Sequence, residues 1–284
     1  MSHFYRLTIS CPDRTGVVAA VSSYITSVSG WITEADQYSD EDSGWFYMRN
    51  EIKAESLSVS LGEFKAGIEK IAAEFKMEWN ISDTAERKRV VLLASKEQHC
   101  LSDLLHRWRT GDMAFDVVCV ISNHNDAREL VEWNNIPYHH VPVDPDNKTP
   151  HFERVKALVS EANADAIVLA RYMQIFPSEL CQQFMGKVIN IHHSFLPAFI
   201  GAKPYHQAYK RGVKLIGATC HYVTEDLDAG PIISQDIARV QHRHSVEDLV
   251  RMGRDVESQT LSRGLRAHLE DRVLIHGNKT IVFE

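Results

Sequence analysis

Two polar clusters hold the side chains best able to do chemistry. The first, Asn190-Ile191-His192-His193-Ser194-Phe195-Leu196-Pro197, closes the apolar run Val188–Ile191. Side chains two apart on a strand share a face, so Asn190 and His192 should project together from its carboxyl end. An amide and an imidazole placed there can bind one oxygen as it gains charge, which stabilises a tetrahedral intermediate. The second cluster runs from His221 through Thr224-Glu225-Asp226-Leu227-Asp228 to the turn Gly230-Pro231. Asp228, set before that turn and an apolar strand, can position or deprotonate a water or an amine. Taken singly, the first reads as a satisfied polar strand end and the second as a solvated acidic turn. Asn, His and Asp drawn together from separate loops speak for catalysis.

The elements that must position these residues follow from the apolar pattern. Continuous apolar runs at Val90–Ala94, Asp116–Ile121, Ala166–Ala170 and Val188–Ile191 predict strands covered on both faces. Helical spacing over Leu101–Trp108, Phe152–Ala162 and Pro177–Phe184 separates them, which predicts a parallel, doubly wound sheet with ligands beyond the strands' carboxyl ends. From Leu215 the pattern turns β-rich. Ser245–Leu269 then predicts a long helix capped by Ser245 with Asp248, and a hairpin closes around Gly277-Asn278. The N-terminal part differs. A strand at Phe4–Ser10, a helix stopped by Gly30, strands at Trp31–Tyr38 and Trp45–Ile52, a helix over Leu57–Phe75 and a short strand at Met77–Ile81 give βαββαβ, a ferredoxin-like order.

The 284 residues suit two domains, and charge supports a boundary between them. Residues 1–85 carry 7 Lys and Arg against 13 Asp and Glu, whereas the remainder is nearly balanced at 24 against 25. The net charge of −7 argues against a nucleic-acid partner. Apolar runs are too short for a membrane helix, and the N-terminus lacks a signal-peptide pattern. Five scattered cysteines without a C-x-x-C pair predict free thiols and a cytoplasmic setting.

The motifs Asn190-x-His192-x-Ser194-x-Leu196-Pro197, Gly201, Gly217-x-Thr219-x-His221 and Leu227-Asp228-x-Gly230-Pro231-Ile232 closely resemble the folate-dependent formyltransferase family, over residues 88–284. The resemblance implies that Asn190 and His192 polarise a formyl carbonyl and hold its oxyanion. Asp228 would manage protons and the nucleophile, with His221 orienting it. Met173, Gln174, Ile175 and Phe176 would form the pterin-binding segment, and Leu196, Pro197 and Gly201 would add substrate contacts. The loop Thr224, Glu225, Asp226, Leu227 and Asp228 would close over the pterin.

Upstream, Cys11-Pro12-Asp13-Arg14-x-Gly16 resembles the turn of an ACT domain, a regulatory ferredoxin-like module. The implied architecture is α/β: an ACT domain over residues 1–85, then a doubly wound, mostly parallel formyltransferase-like domain over 86–284. Asp13, Arg14 and Gly16 would then lie at a regulatory site for a small amino acid, glycine or methionine, unless the module is only an oligomerisation scaffold. A homo-oligomer is expected, with a tetramer favoured.

One departure bears on the acceptor. Family members that formylate a phosphorylated amine carry a Gly/Ser/Asn-rich loop after the first strand of this domain, whose amides cradle the phosphate. Here the loop is Ala94-Ser95-Lys96-Glu97-Gln98-His99-Cys100, without glycine and with an added acid. Water is therefore the expected acceptor. The expected reaction is hydrolysis of 10-formyltetrahydrofolate to formate and tetrahydrofolate, supplying formate for purine biosynthesis and balancing one-carbon pools. No cofactor is expected, the folate being the substrate. The 15 histidines contain no H-E-x-x-H or Cys/His finger spacing, so no metal is expected, and His99 and His106 read as surface or interface residues.

Overall fold

Strand β1 (Phe4–Pro12) places Leu7, Ile9 and Cys11 on one face, and two helices cover it. Helix α1 (Val17–Ser27) contributes Val17, Val21 and Ile25. After β2 (Trp31–Asp40) and β3 (Trp45–Lys53), helix α2 (Leu61–Phe75) adds Phe64, Ile68 and Phe75. Ser60 and Glu63 cap each other's backbone at its start. Strand β4 (Glu78–Asp83) completes a sheet of order β2-β3-β1-β4, antiparallel throughout. The βαββαβ order is the one the sequence pattern predicts. The computed structural model describes residues 3–196 and 204–284.

A second sheet has seven strands. In chain order its elements are β5 (Arg89–Ala94), α3 (His99–Thr110), β6 (Asp116–Ser122), α4 (Arg128–Trp133), β7 (Tyr138–His140), α5 (Thr149–Glu161), β8 (Ala166–Leu169), α6 (Ser178–Gln183) and β9 (Val188–His192). Then follow α7 (Pro204–Arg211), β10 (Leu215–Tyr222), β11 (Ile232–Arg239) and α8 (Val246–Leu269). The order is β11-β10-β9-β8-β5-β6-β7. Strands β5 to β9 run parallel, while β10 is antiparallel to both β9 and β11. Val90–Ala94 are wholly buried, as an interior strand requires. The chain winds outward from β5 through β6 and β7, then resumes on its other side at β8, so the strand order reverses between β5 and β8. Crevices at such reversals are where ligands bind in open α/β sheets. Helix α4, with six residues, and strand β7, with three, are too short to show a clear period, and the apolar pattern does not mark the eight-residue α7 either. No described helix is long and apolar enough to cross a membrane.

The chain divides into two units, and the division corrects a single boundary at residue 85. The first unit runs to Arg87 and also takes in Glu270–His276 and Ile281–Glu284; the second is Lys88–Leu269 with Gly277–Thr280. The tail forms a hairpin, β12 (Val273–His276) with β13 (Lys279–Val282). Its return to the first unit has a physical cause in Arg49, a β3 residue only 2% exposed. A buried guanidinium must fill its donors. Glu34 and Glu51 accept from it at 3.0 and 3.5 Å, and the Glu270 carbonyl accepts from Nε and Nη2 at 3.3 and 3.2 Å. Ser82 also donates to Asp271 at 2.6 Å.

Candidate active site

Asn190 and His192 stand on one face at the end of β9, and His221 of β10 lies directly across from Asn190. The Asn190 Nδ2 donates to His221 Nε2 at 3.2 Å. The other ring nitrogen of His221 donates to the Tyr222 carbonyl at 2.8 Å, which fixes the tautomer and leaves Nε2 as acceptor. Burial, partly opposed by the Tyr222 bond, pulls His221 below the ordinary histidine pKa. An amide NH₂ carries two hydrogens, so Asn190 retains one for a ligand.

His192 is held from its other side. Its Nδ1 lies 3.2 Å from Asp228 Oδ2, while its buried Nε2 has no hydrogen-bond partner among the described residues. Buried polar atoms almost always have one, so an unpartnered nitrogen on a residue that lines the cavity marks a candidate contact for a ligand atom. Asp228 sits at φ +56°, a left-handed conformation that Asp tolerates better than most residues. Gly230 presses this loop against β10, where a Cβ would come within 1.9 Å of the Tyr222 carbonyl oxygen. Burial works to raise the Asp228 carboxyl. The hydrogen bond and charge of His192, with help from His221, outweigh it and hold the pKa below the ordinary carboxylate value. The expectation that His221 orients Asp228 is not met: His221 Nε2 is 3.8 Å from Oδ1, too long for a hydrogen bond. His221 orients Asn190 instead, and His192 holds Asp228.

These groups line a cavity of about 610 Å³, room for a drug-sized ligand. Met173, Gln174, Ile175 and Phe176 form one wall, and Thr224, Glu225, Asp226 and Leu227 another. Met173, Ile175 and Leu227 are exposed apolar side chains at this cavity, whereas Phe176 is buried and packs edge-on to Phe152 and Tyr172. The Met173 amide donates to Ser95 at 3.0 Å, which ties the first wall to the end of β5. Leu196 is not on the cavity surface. Its amide is taken up by Thr219 at 3.0 Å, in a buried knot with the Ser194 carbonyl. Pro197 and Gly201 lie outside the described residues. Asp13, Arg14 and Gly16 belong to the first unit's β1–α1 turn. There Arg14 stacks over Phe75 at 4.1 Å and donates to the Glu74 carbonyl at 2.8 Å.

The cavity has a second polar group that sequence reasoning missed. Glu257 of α8, 1% exposed, accepts from His99 Nε2 at 2.7 Å and from the Tyr205 hydroxyl at 2.5 Å. Arg171 Nε lies 3.3 Å away, and its Nη1 donates to His193 Nδ1 at 2.7 Å. Burial tends to raise Glu257, but the His99 bond, the Arg171 charge and the Tyr205 bond hold it below the ordinary value. Burial, reinforced by Arg171, pulls His193 down to about 4. Gly253 makes the space for Tyr205, since a Cβ there would lie 2.1 Å from the phenol. His99, expected at the surface or an interface, is therefore a cavity residue. A legible signal existed: Gly253, Val256, Glu257, Thr260, Leu261 and Gly264 are all buried at helical spacing, so Glu257 lies within the inward stripe of α8.

His99, Cys100 and Glu257 offer ligand atoms within 4.8 Å of one another. The donor set suits a cation poorly. Both Glu257 oxygens and His99 Nε2 are engaged, Arg171 brings a positive charge to the same carboxylate, and burial raises the Cys100 thiol.

The formyl transferase family pattern matches residues 88–265. A formyltetrahydrofolate deformylase of Bacillus subtilis is 47% identical, over 98% of this chain and 93% of that one. The crystal structure of a formyltetrahydrofolate deformylase from Pseudomonas syringae pv. tomato superposes with a TM-score of 0.98 at 61% identity, covering 100% of this chain and 95% of that one. A glycinamide ribonucleotide transformylase from Symbiobacterium toebii covers 72% of this chain and 98% of its own, with a TM-score of 0.66 at 28% identity. The shorter transformylase thus matches only part of this chain, while the deformylases match it nearly end to end. The chain belongs to the formyltetrahydrofolate deformylase family.

Proposed function

We propose that this protein hydrolyses 10-formyltetrahydrofolate to formate and tetrahydrofolate, with Asn190, His192 and Asp228 as the reacting constellation. The observation that carries the chemistry is the open Nε2 of His192, beside the spare Asn190 hydrogen and backed by Asp228. With Nδ1 donating to Asp228, unprotonated Nε2 accepts a proton from water, and the water oxygen attacks the formyl carbon. Asp228 stabilises the imidazolium that results, much as a buried carboxylate does in a catalytic triad. Asn190, held by His221, donates to the oxyanion. The imidazolium returns the proton to N10 as the C–N10 bond breaks, releasing formate and tetrahydrofolate.

Water as acceptor is supported by the loop after β5, several of whose polar side chains are already engaged. Ser95 donates to Asn123 at 2.7 Å, Gln98 to the Asp126 carbonyl at 2.8 Å, and Glu97 pairs with Arg254 at 2.8 Å. The test is incubation with 10-formyltetrahydrofolate and no amine. Formate release supports hydrolysis; release only with an amine present supports a transferase, and inertness a folate-binding regulator.

The proposal extends to a metal-free reaction in a cytoplasmic setting, with the formate feeding formate-dependent purine synthesis. Stoichiometric zinc tracking activity in purified protein would overturn the first of these. The first unit is proposed to be an ACT-type, ferredoxin-like module of a homo-oligomer, a tetramer by preference. Its β1–α1 turn, with Gly16 at φ +101°, would bind glycine or methionine near Asp13 and Arg14. Titration calorimetry with both amino acids checks this, and absence of heat or rate change favours a scaffold.

A further inference from the structure

His193 lies between the two polar groups of the cavity, and neither the hydrolytic chemistry above nor the fold accounts for it. Strand β9 ends at His192, and the backbone bend that follows lets both consecutive imidazoles reach the cavity, their ring centres 5.1 Å apart. A guanidinium can only donate. Arg171 Nη1, 2.7 Å from His193 Nδ1, therefore requires an unprotonated Nδ1, and the neutral ring carries its proton on Nε2. That Nε2–H has no hydrogen-bond partner among the described residues. Arg171 is in turn fixed by Glu257, and by a left-handed backbone at φ +63°, unusual for a long side chain. The protein thus holds a tautomer-locked donor against the space that the reacting atoms would occupy.

Resting on the hydrolase reading, we infer that His193 is a further catalytic residue, whose Nε2–H binds the oxygen of the attacking water while His192 Nε2 accepts that water's proton. The geometry of water is satisfied by this. One lone pair accepts from His193, one hydrogen goes to His192, and the second lone pair forms the bond to the formyl carbon. The O–H bond that breaks leaves its proton on His192, and His193 keeps its own throughout. The low pKa of His193 agrees with this role, because the ring stays neutral across the physiological range. Arg171 and Glu257 are positioning residues that act through His193. A transferase has no use for a water held in this way, whereas a hydrolase must place its acceptor without binding energy from a larger molecule.

The test combines kinetics with nitrogen NMR of the histidine rings in the full-length protein. His193→Leu is expected to lower kcat by about 10²-fold, as for loss of one preorganised donor, with KM for the folate unchanged. His193→Gln, which keeps an N–H donor, is expected to recover part of that loss. In the substrate-free wild type, the His193 ring should show a protonated Nε2 and an acceptor Nδ1, and Arg171→Met should turn this into a tautomer mixture. Wild-type turnover in a folded His193→Leu protein, or an Nδ1-protonated ring in the wild type, overturns the inference. If His193→Leu does not fold, the His193→Gln rate and the wild-type spectrum decide. Wild-type protein that releases no formate overturns the hydrolase reading itself, a result distinct from a loss confined to the His193 variants.

Discussion

The cavity's two polar groups use the same residue types in opposite ways. Around Glu257, both carboxylate oxygens are filled, by His99 and Tyr205, with the Arg171 charge beside them. Around Asp228, the carboxylate is backed by one imidazole, and that imidazole keeps a buried nitrogen open. Burying a carboxylate is costly unless hydrogen bonds and an opposite charge compensate it. Glu257 meets that condition in the free protein, whereas the Asp228 side meets it only in part, and in the proposed hydrolysis the substrate would complete it. The difference lies in the carboxylates themselves, since the Glu257 side also leaves buried nitrogens, His99 Nδ1 and Arg171 Nε, without a hydrogen-bond partner among the described residues.

Substitutions can break this contrast. The largest effect is expected from Asp228→Asn, which keeps the shape but cannot stabilise a His192 imidazolium; kcat for formate release should fall by about 10⁴-fold, as for the equivalent change in a triad. Glu257→Leu should act chiefly on stability, costing about 3–5 kcal/mol in denaturant unfolding, because it strands the largely buried Arg171 charge, with a smaller loss of kcat through His193. Asn190→Ala should lower kcat by about 10²–10³-fold, the loss of one oxyanion donor, with little change in unfolding free energy. Should Asn190→Ala destabilise more than it slows, the Asp228 side is a structural group like Glu257 and not a reacting one.

A smaller effect lies in pH. The ordinary carboxyl value for Glu257 is 4.5 and its folded value is lower. The stability from its charge is therefore complete above 4.5 and is lost as the pH falls through the folded value. The stability gap between wild type and Glu257→Gln should be constant near neutrality and narrow in acid, as read by urea unfolding over a pH series.

Asn190, His192 and Asp228 were legible because each motif is local: a period of two at a strand end, and an acid before a Gly-Pro turn. The parallel strands were legible from runs such as Val90–Ala94, whose burial on both faces leaves no alternation. Glu257, Arg171, His99 and Tyr205 were not, because they meet through tertiary packing from four separate segments. An acid in an otherwise charged helix reads as solvated unless the Gly253–Gly264 stripe is counted. His221 showed as a site residue, but its partner depended on the β9–β10 register, which sequence did not supply.

The tether between Arg49 and Glu270 also bears on how the chain is made. These residues are 221 positions apart, so the first unit cannot fill the donors of its buried guanidinium until the chain has been made as far as Glu270. Domains generally fold as units during synthesis, N-terminal first. Here the N-terminal sheet must wait, with Arg49 served by Glu34, Asp36 and Glu51, while the whole of Lys88–Leu269 is translated. The second unit is free to condense in that interval. Closure of the first is then the late event, and the one most exposed to interruption.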